Sequence, residues 1–189
     1  MNIKGLVFGL VSMVAVVTAH AASVDMTPEM KALAFQQIGV YTSQPGETLH
    51  AFLLRLAPVL RDYTRRTGTE ACGAIAKDAA GYGVALGSNE SQIGCLAGEA
   101  GVPAGMTWTG ETIHSHPAGS FFYLTRNDRK LAWATHAEDP GARTFEASPN
   151  GFSDTDYASG PGYLVAGGRL LYESRPHQQE VVGVVGTVK

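Results

Sequence analysis

Residues 48–67 constrain the fold of this 189-residue chain more than any other stretch. Leu49, Phe52, Leu53, Leu56, Val59, Leu60 and Tyr63 recur at i, i+3, i+4 and i+7 spacing, the period of a helix with one apolar face. That face belongs to the core. Arg55, Arg61, Arg65 and Arg66 form the solvated side. Pro58 falls inside the pattern and predicts a kink or break, because proline has no N–H to give. Gly68 predicts the end, with Arg65 and Arg66 in the last turn, where the helix dipole favours cations.

The chain length suits one domain with a substantial core. Apolar residues make up 44% and charged residues 16%, which excludes the disordered class. The net charge of −3 comes with no basic run, so nucleic-acid binding through phosphate contacts is not expected. Residues 1–21 read as a secretory signal peptide: Lys4, an apolar run over 6–17, then Ala19-His20-Ala21 before the cleavage point. An uncleaved anchor is the alternative. The run is short for a membrane span, so none is expected after cleavage. Loss of 1–21 removes Lys4 alone among the charges and leaves 13 Lys+Arg against 17 Asp+Glu. The expectation is an exported bacterial protein, periplasmic or secreted. An oxidising compartment favours a disulfide between Cys72 and Cys95 over two separate buried thiols. It would close a loop of roughly 24 residues and stabilise by roughly 3 kcal/mol.

Residues 22–45 read as an N-terminal extension, with Thr27-Pro28-Glu29 opening a short helix and Gln44-Pro45-Gly46 as a break. Residues 69–76 and 81–86 read as a strand and its hairpin partner, followed by a turn at Gly87-Ser88-Asn89. Residues 88–107 are Gly-rich loop with a short strand near 93–95, and 108–116 form a strand. Residues 118–151 are a long connection with helical character over 124–134 and turns at Asp139-Pro140-Gly141 and Ser148-Pro149-Asn150-Gly151. A connection of that length is expected to be a lid or binding segment. A new element opens at 152–157. Residues 162–166 and 169–173 form a hairpin about Gly167-Gly168, and 181–185 give a last strand or tail.

The chemistry is concentrated in Thr112-Ile113-His114-Ser115-His116-Pro117. In a strand, residues i and i+2 point to one face, so both imidazoles can reach one ion. Pro117 suits a strand end. Asp156 is the natural third ligand, since carboxylate oxygen and imidazole nitrogen bind zinc at similar distances. Two His and one Asp leave a position open, as catalytic rather than structural zinc sites do, and a water there is an acid with pKa near ~7. Glu70 is the candidate base and Ser153 the candidate oxyanion donor. Glu90, Glu99 and Glu111 compete with Glu70; Glu111 lies three residues before His114, on the other strand face.

Glu70-Ala71-Cys72-Gly73, His114-Ser115-His116-Pro117 and Ser153-Asp154-Thr155-Asp156, in that order, resemble the JAMM (MPN-plus, JAB) metalloprotease family. The resemblance spans roughly residues 48–173. It implies one zinc per chain on His114, His116 and Asp156, proton transfer by Glu70 and oxyanion stabilisation by Ser153. It implies an α/β (α+β) fold, a curved mixed β-sheet flanked by helices, of JAB/MPN or cytidine-deaminase-like sandwich type, over residues 46–175. Residues 118–151 would be an insert, because the family's gap between the proline and the serine is under about ten residues. The expected substrate is a peptide or protein, with a cell-wall peptide as an alternative. A catalytically silent binding module on the same fold is the rival outside enzymes. Each residue also has a plainer reading: half-buried strand histidines, a surface carboxylate at Glu70, and helix caps at Ser153 and Asp156. His136 is either an extra ligand or a surface residue. His50 and His177 read as surface. Phe121, Phe122, Tyr123 and Trp133 line a substrate groove or fill a small core of the insert.

Overall fold

A computed structural model describes residues 33–135 and 143–186. Residues 1–21, read as a signal peptide, the segment at Thr27 expected to open a helix, and His136 lie outside the described residues. The elements are β1 (Gln36–Thr42), α1 (Leu49–Thr67), β2 (Cys72–Lys77), β3 (Tyr82–Ser88), a 3₁₀ turn (Glu99–Gly101), β4 (Thr107–Ser115), β5 (Phe121–Tyr123), α2 (Arg126–Thr135), β6 (Thr144–Glu146), α3 (Asp154–Ser159), β7 (Gly162–Ala166), β8 (Arg169–Arg175) and β9 (Gln178–Val184). The class is mixed α+β. Seven strands form one sheet in the order β1-β3-β2-β4-β7-β8-β9, and β5 pairs β6 separately. All pairs in the large sheet are antiparallel except β4 with β7. Among the described residues no helix is long and apolar enough to cross a membrane.

Helix α1 covers one face of the sheet. Phe52, Leu53, Leu56, Ala57 and Leu60 pack on Ile75, Val84, Leu86, Ile113, Tyr163, Val165 and Leu170. The helix runs through Pro58 without the predicted break. One lost N–H bond is a small cost beside the burial of an apolar stripe that continues on both sides of the proline. Thr48 caps the start, its hydroxyl accepting from the Ala51 N–H, and Gly68 ends it in the left-handed conformation at φ 72°.

The opposite face carries the site. Cys72 lies across from His114 on β4, and His114 across from Leu164 on β7, so all three share that face. Alternation puts Ile113 and Ser115 on the α1 face. Cys72 and Cys95 are disulfide-bonded, 5.8 Å apart at Cα, which ties the 89–102 segment over the site face.

Several boundaries differ from the sequence expectations. The sheet begins at Gln36, inside the segment read as an extension, because β1 pairs with β3 as an edge strand. Gly87 and Ser88 belong to β3 rather than to a turn, and residues 93–95 form no strand. The expected last strand starts earlier, at Gln178. Strands β1 and β9 are edge strands of mixed polarity, where ladder pairing rather than hydrophobic pattern decides the outcome, and β3 is prolonged by its pairing with β1 and β2 on both sides.

Candidate metal centre

Strand β4 ends at Ser115, and His116 follows it with its N–H on the Val165 carbonyl at 3.2 Å. The His114 and His116 side chains therefore leave the same face from the end of a central strand. Asp156 reaches them from α3, which leads directly into β7, the parallel neighbour of β4. That pairing brings residues 114 and 156 together.

The ligand atoms converge. His114 Nε2 lies 3.2 Å from His116 Nε2 and 3.2 Å from Asp156 Oδ1, and His116 Nε2 lies 3.4 Å from Asp156 Oδ2. A tetrahedron with bonds of about 2.0–2.1 Å has edges of about 3.3–3.4 Å. His114, His116 and Asp156 could hold a metal ion, the two short contacts to Asp156 being made by different oxygens. His116 Nδ1 is 2.9 Å from the Ser148 carbonyl oxygen. A carbonyl only accepts, so Nδ1 carries the proton, and the neutral ring presents a bare Nε2 to the centre.

Asp156 is held by a capping box. Its Oδ2 accepts from the Ser153 N–H and the Ser153 hydroxyl, both at 2.7 Å, while its own N–H points back to Ser153 Oγ. Ser153 is thus the helix cap and Asp156 the third residue of the helix. The hydroxyl of Ser153 faces the ligand carboxylate here.

Glu70 sits just ahead of β2, 5% exposed, with Oε1 3.9 Å from His116 Nε2. Burial pushes its carboxyl up to about 8, opposed by the His116 charge and reinforced by those of Asp156 and Asp128. Burial works against the His116 imidazolium, but the Asp156 hydrogen bond, the Glu70 and Asp156 charges and the Ser148 carbonyl raise it to about 9. Burial likewise opposes ionisation of Asp156, yet the charges of His114 and His116 and their hydrogen bonds hold it well below the usual range. A bound cation takes the place of those imidazole protons. The two carboxyls are pushed apart, Glu70 upward by burial and Asp156 downward by the imidazoles.

No protein-family model, curated protein or solved structure matches the chain.

The structure thus brings Glu70, His114, His116, Ser153 and Asp156 together. It keeps Glu111 away: its Oε1 takes the Tyr172 hydroxyl at 3.0 Å, and Tyr172 packs against the α1-side core. Glu90 is exposed. His50 and His177 are exposed, as expected of surface residues, and each meets a tyrosine. His50 Nε2 lies 3.1 Å from the Tyr163 hydroxyl, and His177 packs on Tyr157 at 4.6 Å between centroids. Phe121 and Tyr123 are 59% and 77% exposed, so they do not fill a core.

Sequence reasoning missed the support around Glu70. Its N–H donates to the Ser91 carbonyl at 2.7 Å, and its own carbonyl accepts from the Ser88 hydroxyl. Asp128, fully buried, accepts from the Ser91 hydroxyl, the Gln92 N–H and side chain, and the Thr125 N–H. The Asp128 N–H returns to Thr125 Oγ1 at 3.2 Å, a second capping box that docks α2 beside Glu70. The signal was available: Thr125-x-x-Asp128 has the same form as Ser153-x-x-Asp156.

Proposed function

We propose that the chain is an exported zinc metallopeptidase of JAMM type that hydrolyses a peptide or isopeptide amide bond. One observation carries this reading: two imidazoles and a carboxylate converge with a buried carboxyl beside them. The donor set fits zinc and, among the described residues, supplies three protein ligands, the number that a catalytic site uses. A zinc ion bound there supplies Lewis-acid polarisation and a water that loses its proton near neutral pH, with pKa about 7.

The remaining work falls to the chain's own residues. Glu70, in its ionised form, would accept a proton from that water and pass it to the leaving nitrogen, a double duty suited to a buried carboxyl beside the ligands. Ser153 donates its hydroxyl to the developing oxyanion. Asp156 Oδ2 keeps the Ser153 N–H when that hydroxyl turns away, so no ligand oxygen is stripped of all support. The JAB/MPN-type sandwich is supported by element order: α1, then the Glu70 strand, its hairpin partner, the His strand, and the Asp156 helix leading into a parallel strand.

The test is incubation of the zinc-loaded protein with purified cell wall and with unstructured protein, with and without chelator. The parent is expected to cleave one of them, and chelator to stop it. Glu70→Gln should lose at least about 10²-fold in rate while keeping its metal. Undiminished hydrolysis by Glu70→Gln would overturn the assigned base. A zinc-loaded parent inert on both would favour the silent binding module.

A further inference from the structure

The residue between the two histidine ligands points away from the centre and is completely buried. Ser115 Oγ accepts the Ala71 N–H at 3.1 Å, lies 3.3 Å from the Ala71 carbonyl oxygen, and shares a 2.7 Å hydrogen bond with Thr64 Oγ1 of α1. Its N–H donates to the same Ala71 carbonyl at 3.0 Å.

The first of these bonds is unusual. In a regular antiparallel pair the Ala71 N–H would go to the Ser115 carbonyl. Here the Ser115 hydroxyl takes that place. The ladder between β2 and β4 therefore closes on a side chain, and the β4 main chain departs from β2 between the two ligands. The departure lets His116 take its N–H to Val165 on the other side and aim its ring at Asp156 and Glu70. Ala71 also directly follows Glu70, so one hydroxyl joins the base, both imidazoles and α1. Burying a hydroxyl is costly unless it is bonded, and this one makes its bonds at the single point where metal ligands and base share a backbone junction.

We propose that Ser115 is a positioning residue for the metal centre, with Thr64 as its support from α1. This rests on the metallopeptidase reading above. Without the hydroxyl the buried Ala71 N–H has no partner unless β4 zips further onto β2, which turns His116 out of the ligand set. Threonine keeps the hydroxyl and with it the departure.

Zinc affinity, measured by competition with a chromophoric chelator, tests the idea on Ser115→Ala, Ser115→Thr, Thr64→Val and Thr109→Val, each beside thermal unfolding of the metal-free form. Thr109 is the control: its hydroxyl donates to the Ile75 carbonyl at 2.8 Å on the same strand pair, away from the ligands. Ser115→Ala should weaken zinc binding by about 10-fold or more, the usual effect of removing support behind a ligand. Ser115→Thr should restore parental affinity. Thr64→Val, which keeps the Ala71 bond, should show a smaller loss and gives the answer if Ser115→Ala does not fold. Thr109→Val should lower the unfolding temperature and leave zinc affinity unchanged. If the parent binds zinc and both Ser115→Ala and Thr64→Val bind it as tightly, the positioning role is wrong and the metal reading stands. If the parent binds no zinc, both fall together.

Discussion

Glu70 and Glu173 are both buried carboxyls on the site face, and their surroundings make them different chemical groups. Glu70 stands beside His116, where the proposed function gives it proton transfer. Glu173 is 2% exposed, and its Oε2 is the one buried side-chain polar atom without a hydrogen-bond partner among the described residues. Its neighbour across β7 is Gly162, which offers no side chain. Burial, reinforced by the Asp156 charge, raises it to about 7. The folded state therefore binds its proton more tightly than the unfolded chain does. Its favourable contribution is present below about pH 4.5 and is lost as pH rises through about 7. Glu173→Met should raise unfolding free energy by about 1–2 kcal/mol at pH 8 and by less at pH 5 in denaturant titrations. An equal effect at both pH values would contradict the assignment. The five site residues were legible because side-chain chemistry identifies them in order along the chain. The Ser148 carbonyl and the Ser91 carbonyl were not, because a main-chain acceptor leaves no mark on residue type. Ser153 was legible as a helix cap, and its part as oxyanion donor belongs to the proposed function.

The elements show where pattern reading works and where it stops. Helix α1 was readable from period and cap, and Pro58 misled because the proline rule is local while the stripe it interrupts is buried over five turns. Strand β1 was hidden because an edge strand with one exposed side carries little alternation. The long connection 118–151, expected to be a lid or binding segment, gave no sequence sign of where it is anchored. Asp128 holds α2 to Ser91 and Gln92, and the Ala147 N–H closes on the Ser120 carbonyl at 3.0 Å just before Ser148 reaches His116. The connection therefore braces Glu70 at one end and His116 at the other. Asp128→Ala leaves the Ser91 hydroxyl and two N–H groups without partners, a local loss of about 1–3 kcal/mol. Limited proteolysis of the metal-free variant should cut within residues 118–151 at least about 5-fold faster than in the parent, with little change in the rest of the chain. Equal rates would mean that Asp128 does not anchor the connection.

In the molecule as a whole, one face of the sheet is given to stability and the other to the site. The α1 side holds the large apolar cluster. The opposite side holds smaller clusters, the disulfide and the converging side chains. The parallel pairing of β4 and β7 is the long-range event that makes the centre, because it sets α3 over the end of the His strand. Residue order alone could suggest that meeting and could not supply its spacing. Zinc per chain in the purified mature protein, by elemental analysis, beside His116→Ala, tests this most directly. The account predicts about one zinc in the parent and loss of it in the variant, since two remaining ligands hold zinc poorly. No zinc in the parent after added metal at neutral pH, or iron in its place, would contradict it.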